Sequence, residues 1–540
     1  MVIQRLKILN FKRFRTLDIE FKAGMNILVG GNNAGKSTVL EAIHLATTGL
    51  LSGRYLKNEL SQHLFNNETV AEYIASLTTA SPLAPPQILI EVFLSELAEF
   101  EGNGNTTKEP ATGFYLSIEF DEVYRHEYQK LIETADLRSL PIEYYTASWS
   151  SFARYGLTPR TVPFKSVLID STAVRYQSGS DVYVSRIVRD FLDTPDVIGI
   201  AQAYRRMKEA FSRDAAIASV NSKIQKSAHP LMKAVTLSAD LPSKNDWEDS
   251  LVACVEDVPL NYIGKGEQSI LKTRLALQHK ASQNAAVILL EEPENHLTHA
   301  NLNNLLRHIK ESNPDKQIIV TTHSSFVANK LGLGTLVLLN DARNVRLSSL
   351  TPNTKEFFEK IAGYDTLRLI LATRVILVEG ASDELIVQKA YSLHHGGKMP
   401  IEDGIDVISV GTSFLRFLEI ADHIQKPVAV VTDNDGNPEG LKNKYADYLG
   451  GNTKTHIKIC FDPKDEVGPQ IGGKPFNYNT LEPSLLRANG LEVMNRILGT
   501  NLAEPELQVH MRANKTDCAL KVFKTQEAVQ FPGYLIEAIS

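Results

Sequence analysis

The chain has 540 residues, 43% hydrophobic and 22% charged, with 57 basic against 63 acidic side chains and a formal net charge of −6. That length predicts about two to four domains, and the composition excludes a largely disordered, collagen-like or coiled-coil-only protein. With the balance so close to neutral, a nucleic-acid partner has to meet local basic patches, because the whole molecule supplies no basic field. No apolar run approaches the about 18 residues of a membrane span, and the opening MVIQRLKILNFKRF lacks the apolar stretch of a secretory signal. Cys254, Cys460 and Cys518 are far apart with no CxxC, which fits a reducing compartment. The expectation is a soluble cytoplasmic protein with no membrane segment.

In chain order, residues 2–9 and 17–29 read as two strands, the second ending in MNILVG and running into GGNNAGKSTVLEAIHLA. Residues 51–85 are polar helix and loop, closed by SPLAPP. QILIEVFLSEL and GFYLSIEFDEV then predict strands of an antiparallel sheet, with a turn at 102–107 between them, and KSVLID predicts a strand over 165–170. From 183 to 250 the pattern is helical, and its 201–235 stretch carries Arg205, Arg206, Lys208, Arg213, Lys223, Lys226 and Lys233 against Glu209 and Asp214. AAVILLEEP (285–293) and QIIVTTHS (317–324) are strand-like, and a linker-like TPNT at 351–354 leads into a helix. Beyond it, strands at 374–379, 405–410 and 427–432 alternate with helical segments, which argues a second, mostly parallel α/β unit.

Gly30, Gly35, Lys36 and Ser37 satisfy G-x-x-x-x-G-K-[ST] between a strand and a helix, the context a phosphate loop requires. Backbone N–H groups of Gly30 to Thr38, with Asn32, Asn33 and Ala34 in the turn, can point at phosphates. Lys36 places a cation at the β and γ oxygens, and the Ser37 hydroxyl is offered to Mg²⁺. Downstream, the apolar strand Val287 to Leu290 ends in Glu291 and Glu292. The first can hold the Mg²⁺ shell and the second can polarise the attacking water; the blander reading is an acidic helix start favoured by the macrodipole. A second apolar strand ends in Thr321, Thr322 and His323, where a His can contact the γ-phosphate. Between these, GKGEQSILKTRLAL sets glycines before a helix, a weak anion-site signal on its own.

These motifs resemble an ABC-type ATPase head of the structural-maintenance and recombination-repair proteins, and LKILNFKRF is similar to that group's first strand. The resemblance implies a head-to-head dimer in which Gly266, Glu267 and Gln268 act on the phosphates held by the other subunit. The signature reads GKGEQ without the usual serine, Glu291 replaces the usual Asp, and Lys12 replaces the usual Arg; the three changes imply slow or regulated turnover. Only 183–250 is available as an insert, which disfavours a long-armed coiled-coil protein.

RVILVEGASDELIV puts Glu379 at a strand end with Asp383 four residues on, and KPVAVVTDNDG puts Asp433 and Asp435 at another. Carboxylates at the carboxyl ends of neighbouring parallel strands converge at the sheet edge, where α/β folds bind ligands. Strand alternation predicts that Asp433 and Asp435 share a face and one ion. Such a cluster calls for divalent cations, and two about 3.5–4 Å apart can activate water and steady a leaving oxygen. The competing reading is two Asp/Gly-rich turns, since DNDG is good turn chemistry. Further on, Glu482 is a candidate extra metal carboxylate and Lys515 a candidate for stabilising charge on a phosphate, although exposed Glu and Lys are also the commonest surface residues.

The strand-end pair resembles a TOPRIM domain, and the whole order of GGNNAGKST, LLEEPENHL, TTHSS, LVEGASDE and TDNDG resembles the OLD (overcoming lysogenization defect) family nucleases, the nuclease subunit of the Gabija anti-phage system and retron-associated members included. The resemblance implies an α/β architecture: an ABC-type P-loop ATPase head in two parts, 1–182 and 251–350, a helical dimerisation insert over 183–250, a linker at 351–373 and a TOPRIM nuclease domain over 374–540. It implies that Glu379, Asp433 and Asp435 bind metal and that a later Glu and a C-terminal Lys complete the site, here Glu482 and Lys515, with Lys521 or Lys524 as alternatives for the Lys.

The leading expectation is an ATP-regulated DNA endonuclease dependent on Mg²⁺ or Mn²⁺, with ATP as cofactor and an anti-phage role implied by the resemblance. A homodimer or homotetramer is expected, with a helicase or a reverse transcriptase and its non-coding DNA as partners. Arg205, Arg206 and Arg213 are candidate DNA contacts, against an equally weighted reading as a solvated helix face. Two alternatives stay open: a non-catalytic ATP-dependent DNA-sensing scaffold, and a TOPRIM primase- or topoisomerase-like enzyme.

Overall fold

The computed structural model of the protein describes residues 1–31, 34–51, 53–79, 81–134, 137–170, 176–177, 180–181, 192–227, 236–238, 254–278, 284–323, 335–340, 343–346, 350–360 and 368–540. Its contacts divide the chain into two units, Met1–Leu28 with Gly35–Thr322, and Val29–Ala34 with His323–Ser540.

The first unit holds an antiparallel sheet in the order Gly156–Leu157, Tyr145–Ser151, Ala111–Phe120, Ile88–Leu94, Ile3–Phe11, Phe14–Glu20. The sequence predicts one strand over 17–29; the structure has two. Phe14–Glu20 pairs with Ile3–Phe11, and Met25–Val29 lies in the other sheet, because Lys22 to Gly24 turn the chain between them. Asn26, buried, stitches that turn by accepting from the Lys22 N–H and donating to the Lys22 carbonyl. The second sheet pairs Ser166–Asp170, Val287–Glu291 and Gln317–Thr322 in parallel register, with Met25–Val29 beside Gln317–Thr322. Val287 to Leu290 are wholly or almost wholly buried, as a parallel strand covered on both faces requires. Each such side chain withdrawn from water contributes about 1.5–3 kcal/mol. Helices Thr194–Ser212 and Ala215–Ser227 bear out the helical pattern over that part of 183–250.

In the second unit, four parallel strands run in the order Ile405–Ser409, Arg374–Val378, Val428–Val431, Ile457–Cys460. The chain leaves Arg374–Val378 toward one neighbour and later returns to its other side. That reversal makes the crevice at the carboxyl ends of Arg374–Val378 and Val428–Val431 the place where such a sheet binds ligands. One core joins the sheet residues Ile376, Val378 and Val431 to Leu485, Met494, Leu507, Val522 and Leu535 of the C-terminal helices. The stretch read as a linker is in part a packed element. Helix Pro352–Lys360 buries Phe358 against Phe417, and Glu419 accepts from the Thr351 N–H and from the Thr351 and Thr354 hydroxyls. The polar TPNT looks like a connector in sequence because its partner, Glu419, lies far down the chain. Among the described residues, no helix is long and apolar enough to cross a membrane.

Candidate functional sites

The phosphate loop is built by close approach. Gly35 has φ +91°, and a Cβ there would meet Phe14 Cζ at 2.2 Å; one at Gly30 would meet the Leu339 carbonyl oxygen at 2.5 Å and Ala34 Cβ at 2.8 Å. Only glycine fits either position. Asn32 and Asn33 lie outside the described residues. Ala34 donates its N–H to the Gly31 carbonyl, and helix Lys36–Thr48 opens directly after Gly35, with Thr38 buried in its first turn. Lys36 is 6% exposed. Burial lowers its pKa, opposed by the charges of Glu292, Glu294 and Glu291.

Glu291 ends its strand in register with Asp170 on one side and Thr321 on the other. Burial raises its pKa, a hydrogen bond from Ser37 opposes this, and the charges of Asp170, Glu41 and Glu292 raise it further. The two residues expected to share Mg²⁺ therefore already touch. Asp170 and Glu41 are members that the sequence reading missed. Asp170 carried a signal, since KSVLID is an apolar strand ending in a carboxylate, like VILLEE. Glu41 also accepts from Lys12, whose own φ is +49°.

Glu292 has φ +40°; its N–H donates to the Thr321 carbonyl, and its carboxylate accepts from Asn295 at 3.1 Å. Strain of this kind costs about 1–3 kcal/mol and collects at functional sites. Next along, Glu294 accepts from the Thr322 hydroxyl. His323 is exposed and lines an open hollow with Arg368, Thr373, Ile401 and Asp406. Gly266 has a local reason to be glycine: a Cβ would meet the His296 carbonyl oxygen at 2.5 Å. Glu267 lies in the first turn of helix Lys265–Gln278, and Gln268 turns its amide back to the Ile263 carbonyl.

At the second sheet edge, Glu379 follows strand Arg374–Val378, and its carbonyl accepts from the Gly411 N–H and the Ser409 hydroxyl. Asp383 accepts from the Gly380 N–H at 3.0 Å, capping helix Ala381–His394. Burial pushes Asp383 up to about 6, opposed by that N–H and assisted by the charges of Glu379 and Glu482. Asp433 keeps some exposed surface, yet burial raises it well above the usual carboxylate range, reinforced by Asp383, Glu482 and Glu379. Its carboxylate accepts from the Leu481 N–H at 3.3 Å, which opposes that rise. Glu482, 5% exposed, accepts from the Thr480 hydroxyl and pairs with Lys515 Nζ at 3.2 Å. Burial lowers the Lys515 pKa, but Glu482, Asp433 and Asp383 outweigh it and leave the pKa raised. Lys521 instead donates to the Leu498 carbonyl and Lys524 is exposed, while Lys515 pairs with Glu482.

Alternation between Asp433 and Asp435 does not hold. The strand stops at Val431, and Asp435 sits in a turn with φ +49°, exposed and accepting from Asn477 at 3.0 Å. The organiser of that turn is Asn434, 3% exposed, which donates to the Asp462 and Lys464 carbonyls and accepts from the Gly436 N–H. Among the described residues, no three His, Cys, Asp or Glu side chains are drawn together as a ready metal cage. The donor set nevertheless fits a hard divalent cation: all-oxygen ligands, mutually repelling and partly desolvated, whose charges Lys515 offsets only in part. The residues that would hold it are Glu379, Asp383, Asp433 and Glu482.

On the insert, Arg205 is paired with Glu209 at 3.0 Å, Arg206 is exposed on the same helix, and Arg213 caps that helix. Lys226 has no described side chain and Lys233 lies outside the described residues.

The family model for the RecF/RecN/SMC N terminal domain matches residues 2–337, more than half of the chain. The chain belongs to this family. A second model, the TOPRIM domain of overcoming lysogenization defect-like proteins, matches residues 370–435. An SMC-type ATPase domain followed by an OLD-like TOPRIM domain is the arrangement of the OLD family. Curated relatives match the chain in short stretches. The DNA replication and repair protein RecF of Vibrio cholerae is 40% identical over 81 residues, 14% of this chain and 22% of that protein. The DNA double-strand break repair Rad50 ATPase of Methanopyrus kandleri is 56% identical over 45 residues, 8% of this chain and 5% of that protein. The chain thus spans about a fifth of the length of the RecF relative. Among solved structures, the SMC head domain from Thermotoga maritima aligns with TM-score 0.30 and 15% identity over 63% of this chain and 94% of that one. A RecF–ATP structure aligns with TM-score 0.33 and 11% identity over 64% and 97%. In OLD-family terms, Glu291, Glu292, Lys36 and Ser37 lie in the ATPase match, and Glu379, Asp383, Asp433 and Asp435 lie in the TOPRIM match. Glu482 and Lys515 lie beyond it and join the site only through the fold.

Proposed function

We propose that this OLD-type protein is an ATP-regulated, divalent-metal-dependent DNA endonuclease that serves in anti-phage defence. The observation that carries the reading is the carboxylate group at the TOPRIM switch point, with Lys515 against Glu482. Glu379, Asp383, Asp433 and Glu482 would hold Mg²⁺ or Mn²⁺, with Asp435 at the rim, and the bound cation would supply Lewis-acid polarisation of a phosphodiester and a more acidic water. Lys515 offsets charge that builds on the scissile phosphate. In the ATPase domain, Lys36 and the amides from Gly30 to Thr38 bind the phosphates, Ser37 and Glu291 hold Mg²⁺, Glu292 takes a proton from the attacking water, and His323 senses the γ-phosphate. ATP-driven pairing of two heads, with Gly266, Glu267 and Gln268 reaching the partner's nucleotide, would set access to the nuclease site in a dimer or tetramer.

The test is supercoiled plasmid with Mg²⁺ or Mn²⁺, with and without ATP, beside Glu379→Ala. Metal-dependent cutting that disappears in the variant supports the reading, and the ATP lanes give the sign of regulation. Equal cutting by wild type and Glu379→Ala would overturn it.

A further inference from the structure

A group of carboxylates repels the phosphates of a DNA strand, so a site of this kind needs cations at its rim. Lys515 is committed to Glu482 at 3.2 Å. Three residues before it, in the last turn of helix Glu504–Ala513, stands Arg512, which is exposed. Its guanidinium lies over the Phe476 ring, 5.5 Å from the centroid, and among the described residues its side chain has no other partner. The ring is itself held. Phe476 meets Tyr478 edge to face at 5.0 Å, and Tyr478 is fixed by its hydroxyl on the Pro469 carbonyl and by its own carbonyl, which accepts from Arg487.

Two separate segments tie this pair to the carboxylates. Asn477, next in the chain to Phe476, donates to Asp435 at 3.0 Å, and Leu481 a few residues on gives its N–H to Asp433. Lys515 brings the other segment, the one that carries Arg512, against Glu482. The remaining arginines of residues 368–540 are differently employed. Arg368 pairs with Asp406, Arg374 donates to the Ala538 carbonyl, Arg487 to the Tyr478 carbonyl, and Arg496 pairs with Glu527. Arg416 lies over a ring as Arg512 does, that of Phe357 on helix Pro352–Lys360. An aromatic face steadies a guanidinium without using its N–H donors, which stay available to phosphate oxygens in a planar, bidentate arrangement.

We propose that Arg512, steadied on Phe476, is a substrate-binding residue of the carboxylate site that holds a backbone phosphate of duplex DNA beside the one to be cut. The proposal rests on reading that site as a metal-dependent DNA endonuclease.

The experiment measures anisotropy of a labelled DNA duplex on the full-length protein in chelator across a salt series, and plasmid cutting in Mn²⁺, for wild type, Arg512→Ala, Arg512→Lys, Phe476→Leu and Arg416→Ala. Losing one phosphate contact should weaken binding by Arg512→Ala about 10-fold near 0.1 M salt and reduce the slope of log K against log salt by about 0.9. The KM for plasmid should rise by the same factor, with kcat changed less. Arg512→Lys should restore the slope, Phe476→Leu should lose part of the affinity and keep the slope, and Arg416→Ala should bind as wild type does. Wild-type affinity and slope in Arg512→Ala would overturn the proposal and leave the pair a tie between loop and helix. An equal loss in Arg416→Ala would also overturn it, since the effect would then belong to surface charge in general. Cutting that persists in Glu379→Ala would instead remove the endonuclease reading on which the proposal rests, whatever the binding shows.

Discussion

The two acidic strand ends of this protein use one device in opposite ways. In the ATPase domain, Glu291 lies in strict parallel register with Asp170 and Thr321, and the countercharge, Lys36, comes from the helix that follows strand Met25–Val29, two places along the same sheet. In the TOPRIM domain, Asp433 lies two residues beyond the end of its strand, and the countercharge, Lys515, arrives from a C-terminal helix far along the chain. The first arrangement is local and readable as a motif. The second is assembled from separate segments, so its carboxylates are more strongly perturbed and depend more on what binds them. Perturbed groups of this kind mark functional sites more often than structural ones.

That contrast can be broken most forcefully by separating the two activities. Glu379→Ala or Asp433→Ala is expected to lower plasmid cutting at least about 100-fold, several kcal/mol of transition-state stabilisation, with ATP hydrolysis unchanged. A parallel fall in ATPase rate would show that the domains do not act as distinct sites. Conversely, Glu292→Gln should cut steady-state ATP hydrolysis about 100-fold or more while retaining ATP binding by filter assay.

A pH test sharpens the difference further. His44, on the phosphate-loop helix beside Ser166, is lowered by burial to about 4 from 6.5. Its folded-state pKa lies below the unfolded one, so between about 6.5 and about 4 the unfolded chain binds the extra proton. Stability therefore falls as pH drops through that window, by about 3 kcal/mol in total. His44→Gln should flatten that slope in chemical denaturation; an unchanged slope would assign the acid sensitivity elsewhere. The smallest effect concerns Lys515→Ala, which leaves buried Glu482 without its cation. Because Lys515 is about half exposed, the cost should be only about 1–2 kcal/mol. Added Mn²⁺ should restore much of the lost melting temperature, since a divalent cation takes over the countercharge.

Much of the ATPase site was legible because its parts are short and contiguous: Gly30 to Thr38 and Glu291–Glu292 are each one loop or one strand end. Asp170 was missed only because a single terminal Asp on an apolar strand is an ordinary sight. In the TOPRIM domain, period-two alternation failed at Asp435, since the strand ends at Val431 and Asn434 takes the buried position by hydrogen-bonding two carbonyls from a later loop. Nothing local to Asn434 announces that role.

By itself, then, the amino-acid sequence determined the two domain types, the phosphate loop and the carboxylates at strand ends. Those features depend on apolar periodicity and on glycines that local sterics demand. Tertiary structure alone decided which Lys meets Glu482 and that Asp383 both caps a helix and joins the acidic group. Each of those depends on groups distant in the chain meeting in a desolvated space, where the energy of a contact is set by burial and by neighbouring charge, neither of which a linear pattern carries.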